Sequence, residues 1–254
     1  MRGVPVRNAT TLRETAHLGW TPIVKNPSAW PVKPNLADLD QTRAAFSWEQ
    51  VRRELCGPDE SLNIGELALD RHAAGPLRDR VALRWLGRDG AILDATYGQL
   101  RGQTNRFANV LRWLGVGKQD RVFSLAGRIP ALYTAALGTL KNTSVFCPLF
   151  SAFGPEPVRQ RLRRGNAKVL VTTEKLYRRT VVNLRRELPE LRHILIADAS
   201  EDIDSNVRAL EPLLAQASPD FKILRTSPED MAPFTSPAAP LECPRARPTS
   251  TTPF

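Results

Sequence analysis

One stretch, a hydroxyl pair near the carboxyl end, has the residue types and spacing that point to chemistry. Asp230-Met231-Ala232-Pro233-Phe234-Thr235-Ser236 closes a long alternation of strand and helix patterns, and Thr-Ser in that position is how a phosphate-binding loop can begin. Such a loop wraps a polyphosphate with backbone N–H groups, hydroxyls and a lysine. It needs glycines so that the main chain can approach the anion closely. The residues that follow, Pro237-Ala238-Ala239-Pro240-Leu241-Glu242-Cys243-Pro244-Arg245-Ala246-Arg247-Pro248, supply neither glycine nor lysine, and their prolines bar the next helix.

Other reactive side chains are few. Cys56, Cys147 and Cys243 lie far apart without ligand spacing, and Cys147 reads as a small core residue. His17, His72 and His193 have no second metal ligand close by, and His72 flanks a helix end. No run approaches the eighteen or so apolar residues of a membrane span, and Met1–Trp20 carry charge throughout. Neither a membrane segment nor a secretory signal is therefore expected, and the cytoplasm is the expected compartment. The net charge of +10 raises nucleic acid as a partner. The arginines, however, are spread over many helix faces and no basic run interleaves with aromatics, so nucleic acid is not the expected partner. A basic balance also suits nucleotide and phosphate ligands.

The elements that must position the hydroxyl pair follow from hydrophobic periodicity. Residues 1–45 form a leading arm, in which Pro22, Pro27, Pro31 and Pro34 recur around Trp20 and Trp30. Asp40–Leu55 and Asn63–Ala73 read as helices, the second stopped by Gly75-Pro76. A hairpin follows, with Val81–Leu86 and Ala91–Ala95 joined across Arg88-Asp89-Gly90. Thr96 stands three or four residues ahead of a helix carrying Leu100, Phe107, Ala108, Leu111 and Leu114, which Gly115 and Gly117 end. Beyond Arg121 strands and helices alternate. The strands are Val122–Leu125, Ser144–Leu149, Lys168–Thr172 and His193–Ala197; the helices are Ile129–Leu140, Pro155–Arg164 and Glu174–Leu188. One modest helix, Asn206–Ala217, comes after them. This alternation predicts an α/β fold, a mostly parallel sheet flanked by helices on both faces.

Several of these segments resemble one family in order and spacing over roughly residues 46–236. They are Leu62-Asn63-Ile64 with Leu69–Ala73, Thr96–Leu100 with Asn105–Leu111, Gly117–Val122, Leu137–Lys141, and Lys168–Thr173 with Pro228–Met231. The most specific is Pro148-Leu149-Phe150-Ser151-Ala152-Phe153-Gly154-Pro155-Glu156. Together they resemble the N-terminal part of AMP-forming acetate–CoA ligases, members of the adenylate-forming superfamily.

The resemblance implies the N-terminal portion of an adenylate-forming large domain over 46–236. It also implies two-step chemistry: acetate and MgATP give acetyl-AMP and pyrophosphate, and CoA then displaces AMP. The implied ligands are thus ATP, Mg2+, CoA and acetate, without nucleic acid or membrane. Thr235 and Ser236 would open the ATP phosphate loop. Arg178 lies near where such ligases place an arginine on the CoA phosphates, against the plainer reading of a solvated helix arginine beside Arg179, Arg185 and Arg186. Ala152, Phe153 and Gly154 would border the CoA channel, against the plainer reading of a tight turn. The loop lysine is missing from this sequence. In the family the acid pocket, the metal-binding segment and the adenylation lysine come later in the chain, so these 254 residues are not expected to make acetyl-CoA. A ligase for another short acyl group such as propionate, and a non-enzymatic α/β binding module, are the alternatives.

The tail can be read one frame over by taking the last base of each codon with the first two of the next. Residues 237–254 then allow Gly-Gly-Thr-Thr/Ala-Gly-Met-Pro-Lys-Gly-Ala-x-His-Val-His-Asp-Ala-Val. That string contains the Gly-x-x-Gly-x-Pro-Lys-Gly order of the family loop; its Met can equally be Val, its Lys requires an AGR codon for Arg245, and otherwise the wobble bases are the free choice. The expectation is a frame change immediately after Ser236, leaving 237–254 as a disordered, out-of-frame tail. Sequencing the coding DNA across codons 230–254 should show glycine and lysine codons in the shifted frame; a stop codon there, or loss of the glycines, overturns it.

Overall fold

The computed structural model describes residues 31–32, 36–57 and 61–233. Most of the predicted arm, Thr235, Ser236 and the tail lie outside them. The chain divides into two compact units, Met1–Val51 and Arg52–Phe254.

In the first unit the predicted Asp40–Leu55 helix is broken. Helix α1 (Leu39–Ala45) is capped by the Asp38 carboxylate, which accepts the Gln41 N–H at 2.9 Å, and it ends on Phe46 in an extended conformation. Helix α2 (Trp48–Cys56) starts afresh after Ser47, whose hydroxyl accepts the Gln50 N–H. A serine there offers a new N-cap, so two short helices form where one was expected.

In the second unit, which begins within α2 at Arg52, a π-helical turn, Glu66–Asp70, runs into the short helix α3 (Arg71–Ala73). The hairpin follows as β1 (Val81–Leu86) and β2 (Ile92–Thr96), antiparallel. Thr96 caps helix α4 (Tyr97–Trp113) directly and shares a capping box with Gln99, so the helix begins earlier than its apolar stripe suggested. Next come β3 (Arg121–Leu125), α5 (Pro130–Lys141), β4 (Val145–Leu149), α6 (Pro155–Arg164) and β5 (Ala167–Thr172), close to the predicted spans.

Two later elements differ from the reading. The predicted helix over Glu174–Leu188 is a chain of three turns: α7 (Glu174–Leu176), a π-turn (Tyr177–Val181) and a 3₁₀ turn (Val182–Glu187). The β-branched run Thr180-Val181-Val182 disfavours a regular helix, and the changes of pitch keep Tyr177, Val181, Leu184 and Leu188 all on the sheet. After β6 (His193–Ile196), Val207–Ala209 form a fifth strand, β7, and only Leu210–Gln216 are helical (α8). Val207 and Ala209 are fully buried beside Ile194 and Ile196, which favours a strand over a helix at this point.

All five strands from β3 onward are parallel, in the order β4-β3-β5-β6-β7. Alternate strand residues face two cores. On one face Phe123, Leu125, Leu170 and Ile194 pack with Val158 and Leu162 of α6 and with Tyr177 and Leu184. On the other, Val122, Val169, Val171 and Leu195 pack with Phe107 and Leu111 of α4, Ala135 of α5 and Leu210 of α8. Helices therefore flank both faces, as the alternation predicts.

A buried charge joins the π-turn to this framework. Lys141, at the end of α5, has no side-chain exposure, and its ammonium lies 2.7 Å from Asp70 and donates to Asn105 Oδ1 at 2.8 Å. Burial lowers its pKa, while Asp70 pulls it back up. Lys141→Met leaves Asp70 and Asn105 facing an apolar group and should lower the unfolding free energy by about 3 kcal/mol in urea titrations. The Asp70→Asn, Lys141→Met double variant should lose clearly less than the sum of the two single changes.

Candidate functional site

The strand order reverses once. From β3 the chain moves outward to β4, then crosses back past β3 to lay down β5. Loops leaving the carboxyl ends of β3 and β5 therefore diverge, and in open parallel sheets this divergence opens the ligand crevice. Three loops frame it: 126–129 after β3, 150–154 after β4, and the turn at Thr173 after β5.

Each loop is held by a specific bond. The Thr172 hydroxyl donates to the Leu125 carbonyl at 2.7 Å, closing the seam between β3 and β5 at its end. The Trp85 indole N–H, from the hairpin, donates to the Arg128 carbonyl at 2.6 Å. Arg179 donates to the Ser151 carbonyl at 3.0 Å, and Arg161 stacks over Phe153 at 4.4 Å. The Asp198 carboxylate accepts the Glu174 N–H at 2.7 Å. Arg128, Arg178 and Arg179 are all exposed along this edge.

The residues singled out from sequence fall as follows. Ala152, Phe153 and Gly154 form the turn after β4 and enter α6, where Gly154 is the N-cap residue. Arg178 lies just beyond β5, with Nε and Nη2 both on Glu174 Oε1 at 2.8 and 2.6 Å, while its neighbour Arg179 reaches the β4 loop. Cys147 is buried in β4 and its thiol is pushed up to about 12, chiefly by burial, so it packs and does not ionise at neutral pH. The His72 ring tilts against Tyr97 at 5.3 Å. Burial and the Arg208 charge lower the His193 pKa.

The approach to Thr235-Ser236 is described up to Pro233. Asn105 of α4 donates to the Pro219 carbonyl, and Asn109 to those of Ser218 and Asp220, each at 2.8 Å. Arg106 caps the end of α8 through the carbonyls of Leu214, Ala215 and Ala217, and Arg112 donates to that of Lys222 at 2.9 Å. One polar face of α4 thus satisfies an irregular backbone that has no ladder of its own. Farther on, Ala232 accepts the Phe146 N–H at 2.9 Å and Pro233 pairs parallel with Phe146 at the edge of β4. The reading from sequence missed this rail, although the spacing of Asn105, Arg106, Asn109 and Arg112 places them along one helical face.

Residues 69–236, which include the whole sheet, all three loops and the approach to Ser236, match the AMP-binding enzyme family. The chain belongs to that family. It is 34% identical over 177 residues to the acetyl-coenzyme A synthetase of Bacillus subtilis (strain 168), an alignment spanning 68% of this chain and 30% of that protein. It is 33% identical over 130 residues to the 3-hydroxypropionyl-coenzyme A synthetase of Metallosphaera sedula, covering 51% of this chain and 20% of that one. Among solved structures, the Brucella canis acyl-CoA synthetase superposes with a TM-score of 0.70 at 26% identity, over 80% of this chain and 36% of that one. The chain thus spans about a third or less of the length of these relatives. Among the described residues no helix is long and apolar enough to cross a membrane.

The Thr172 hydroxyl is the most testable of the bonds at the crevice. Thr172→Val preserves shape but leaves the buried Leu125 carbonyl without its donor. It should cost about 1–2 kcal/mol, read as a lower urea midpoint with unchanged slope.

Proposed function

We propose that this chain carries the amino-terminal portion of the large domain of an AMP-forming ligase joining a short carboxylic acid to coenzyme A, with acetate the favoured acid. The observation that carries this reading is the 34% identity over 177 residues to an acetyl-coenzyme A synthetase. In the first step an acid oxygen attacks the α-phosphorus of ATP, forming the acyl–phosphate bond as pyrophosphate leaves. In the second the CoA sulfur attacks the acyl carbon and AMP leaves.

This chain's part in that chemistry is to bind and orient. Exposed arginines along the carboxyl edge suit phosphate oxygens, because a guanidinium presents a planar fork of donors. Arg178 would exchange its Glu174 carboxylate for a CoA phosphate, while Arg179 holds the Ser151 loop beside it. Thr235 and Ser236 would donate to the ATP phosphates. Mg2+ would arrive with ATP; the described residues gather no group of three His, Cys, Asp or Glu side chains for a metal, and no step is assigned to it. The acid is short in both named relatives, and propionate is the nearest alternative to acetate.

Saturating CoA should raise the melting temperature of the purified protein. At a hundredfold excess over Kd the stabilisation is about 2.7 kcal/mol, roughly 5–10 °C for a domain this size. Arg178→Ala should remove most of that shift. The 254 residues alone should release no pyrophosphate from ATP and acetate, because residues 237–248 carry no glycine or lysine. A cooperatively unfolding protein whose melting temperature responds to neither CoA nor ATP overturns the ligase reading in favour of a non-enzymatic α/β binding module.

A further inference from the structure

Between α8 and Pro233 the chain forms no regular element, yet it runs directly ahead of Thr235-Ser236 in the sequence. Its first half is fixed by the α4 rail. Its second half, residues 226–233, has less behind it: a cavity of about 240 Å3 lies against it, lined by Asn63, Leu140, Thr143 and Ser144 on the opposite wall. Thr143 is itself unusual. It is a β-branched residue at φ 62°, 5% exposed, with a buried hydroxyl that has no partner. Packing therefore does not set the position of 226–233, and discrete bonds must do so.

Those bonds are few. Leu62 and Thr226 exchange hydrogen bonds through the Leu62 N–H, the Thr226 hydroxyl and the two carbonyls. Ala232 and Pro233 meet β4 at Phe146. Between them stands Asp230. Its carboxylate accepts the Ser227 N–H at 2.8 Å, closing the turn 227–230, and its Oδ2 lies 2.7 Å from the Lys118 ammonium. Lys118 sits in the turn just before β3, the strand at the centre of the reversal. This ion pair therefore ties the approach segment to the strand from which the crevice is built.

We propose that Lys118 and Asp230 are positioning residues: their ion pair fixes the register in which residues 226–233 run beside β4, and so the point at which Thr235-Ser236 begin. The consequence for phosphate binding rests on the ligase reading; the latch itself does not. A one-residue slip at Pro233 would shift the segment along β4 by the rise of one strand residue, about 3.3 Å, more than the tolerance of a hydrogen bond.

The test is hydrogen exchange on the whole chain, without ligand. Lys118→Gln should speed exchange of the Phe146 amide and of the amides in 226–233 by roughly fivefold, the scale of a partly exposed ion pair. Lys118→Arg should restore the wild-type rates, which a role in packing alone would not do. Salt at 1 M should reproduce the Lys118→Gln rates in the wild type and leave Lys118→Gln itself unchanged. Unchanged exchange in Lys118→Gln overturns the proposal, as does an equal rise in the β5–β6 amides, which would report only a weaker fold. Because no nucleotide is present, failure here is separate from failure of the ligase reading, which the CoA shift decides.

Discussion

The contact between Lys141 and Asp70 sets the arrangement of most of the second unit. A charge with no solvent exposure is tolerable only where partners surround it, and here the lysine from α5 has two: Asp70 from the π-turn and Asn105 from α4. Asn105 then uses its amide N–H on Pro219, so the same cluster reaches the segment that approaches Thr235-Ser236. Gly65 belongs to this constraint. A Cβ there would stand 2.7 Å from Lys141 Cγ, so the turn can close over the lysine stem only with a glycine at that position. Asn63 completes the lid by donating to the Leu140 carbonyl and capping Glu66.

The sheet supplies a second constraint, and the hairpin depends on it. A two-stranded ribbon has little stability of its own. β1 and β2 expose Leu86, Ile92 and Leu93, and one firm anchor is Trp85, donating to the loop that leaves β3. The hairpin therefore does more than precede α4 in sequence. It grips the crevice at the point of strand reversal, while Thr172 closes the same seam from inside. Loops so held have less conformational freedom to lose if a ligand binds.

Most of this fold was legible because its signals are local. Pro130 and Pro155 open helices, apolar runs mark β3 to β6, and Gly90 turns the hairpin. What escaped was decided by tertiary contact. Val207-Arg208-Ala209 is too short to show a period and becomes a strand only because Ile194 and Ile196 offer an unpaired edge. Glu174–Leu188 has the composition of a helix, yet three different pitches are needed to keep its apolar residues on the sheet. The buried lysine was equally hidden, since Leu140-Lys141-Asn142 reads as the polar end of a helix. Of the candidate site, the β4 loop and the arginine pair after β5 were visible as residues. Their division of labour was not: a sequence does not say that Arg178 turns to its own Glu174 while Arg179 crosses to Ser151.

Charge is unevenly distributed over these pieces. Residues 155–192 hold eleven lysines and arginines against four acids, an excess of seven out of the chain's ten. They run from α6 through β5 to the start of β6 and include Arg178 and Arg179 of the crevice edge. Part of that charge is neutralised locally, by Glu156 and Glu187 on Arg159, Asp120 on Lys168 and Asp204 on Arg185. Arg163, Arg164, Lys175 and Arg186 are exposed and face no acid in an ion pair among the described residues. Exposed pairs of this kind add little to stability, so their value lies in the field they leave behind. A positive field raises the encounter rate of a multiply charged anion. The cohesion of the fold does not depend on these exposed arginines; it rests on the apolar strands and on one buried lysine.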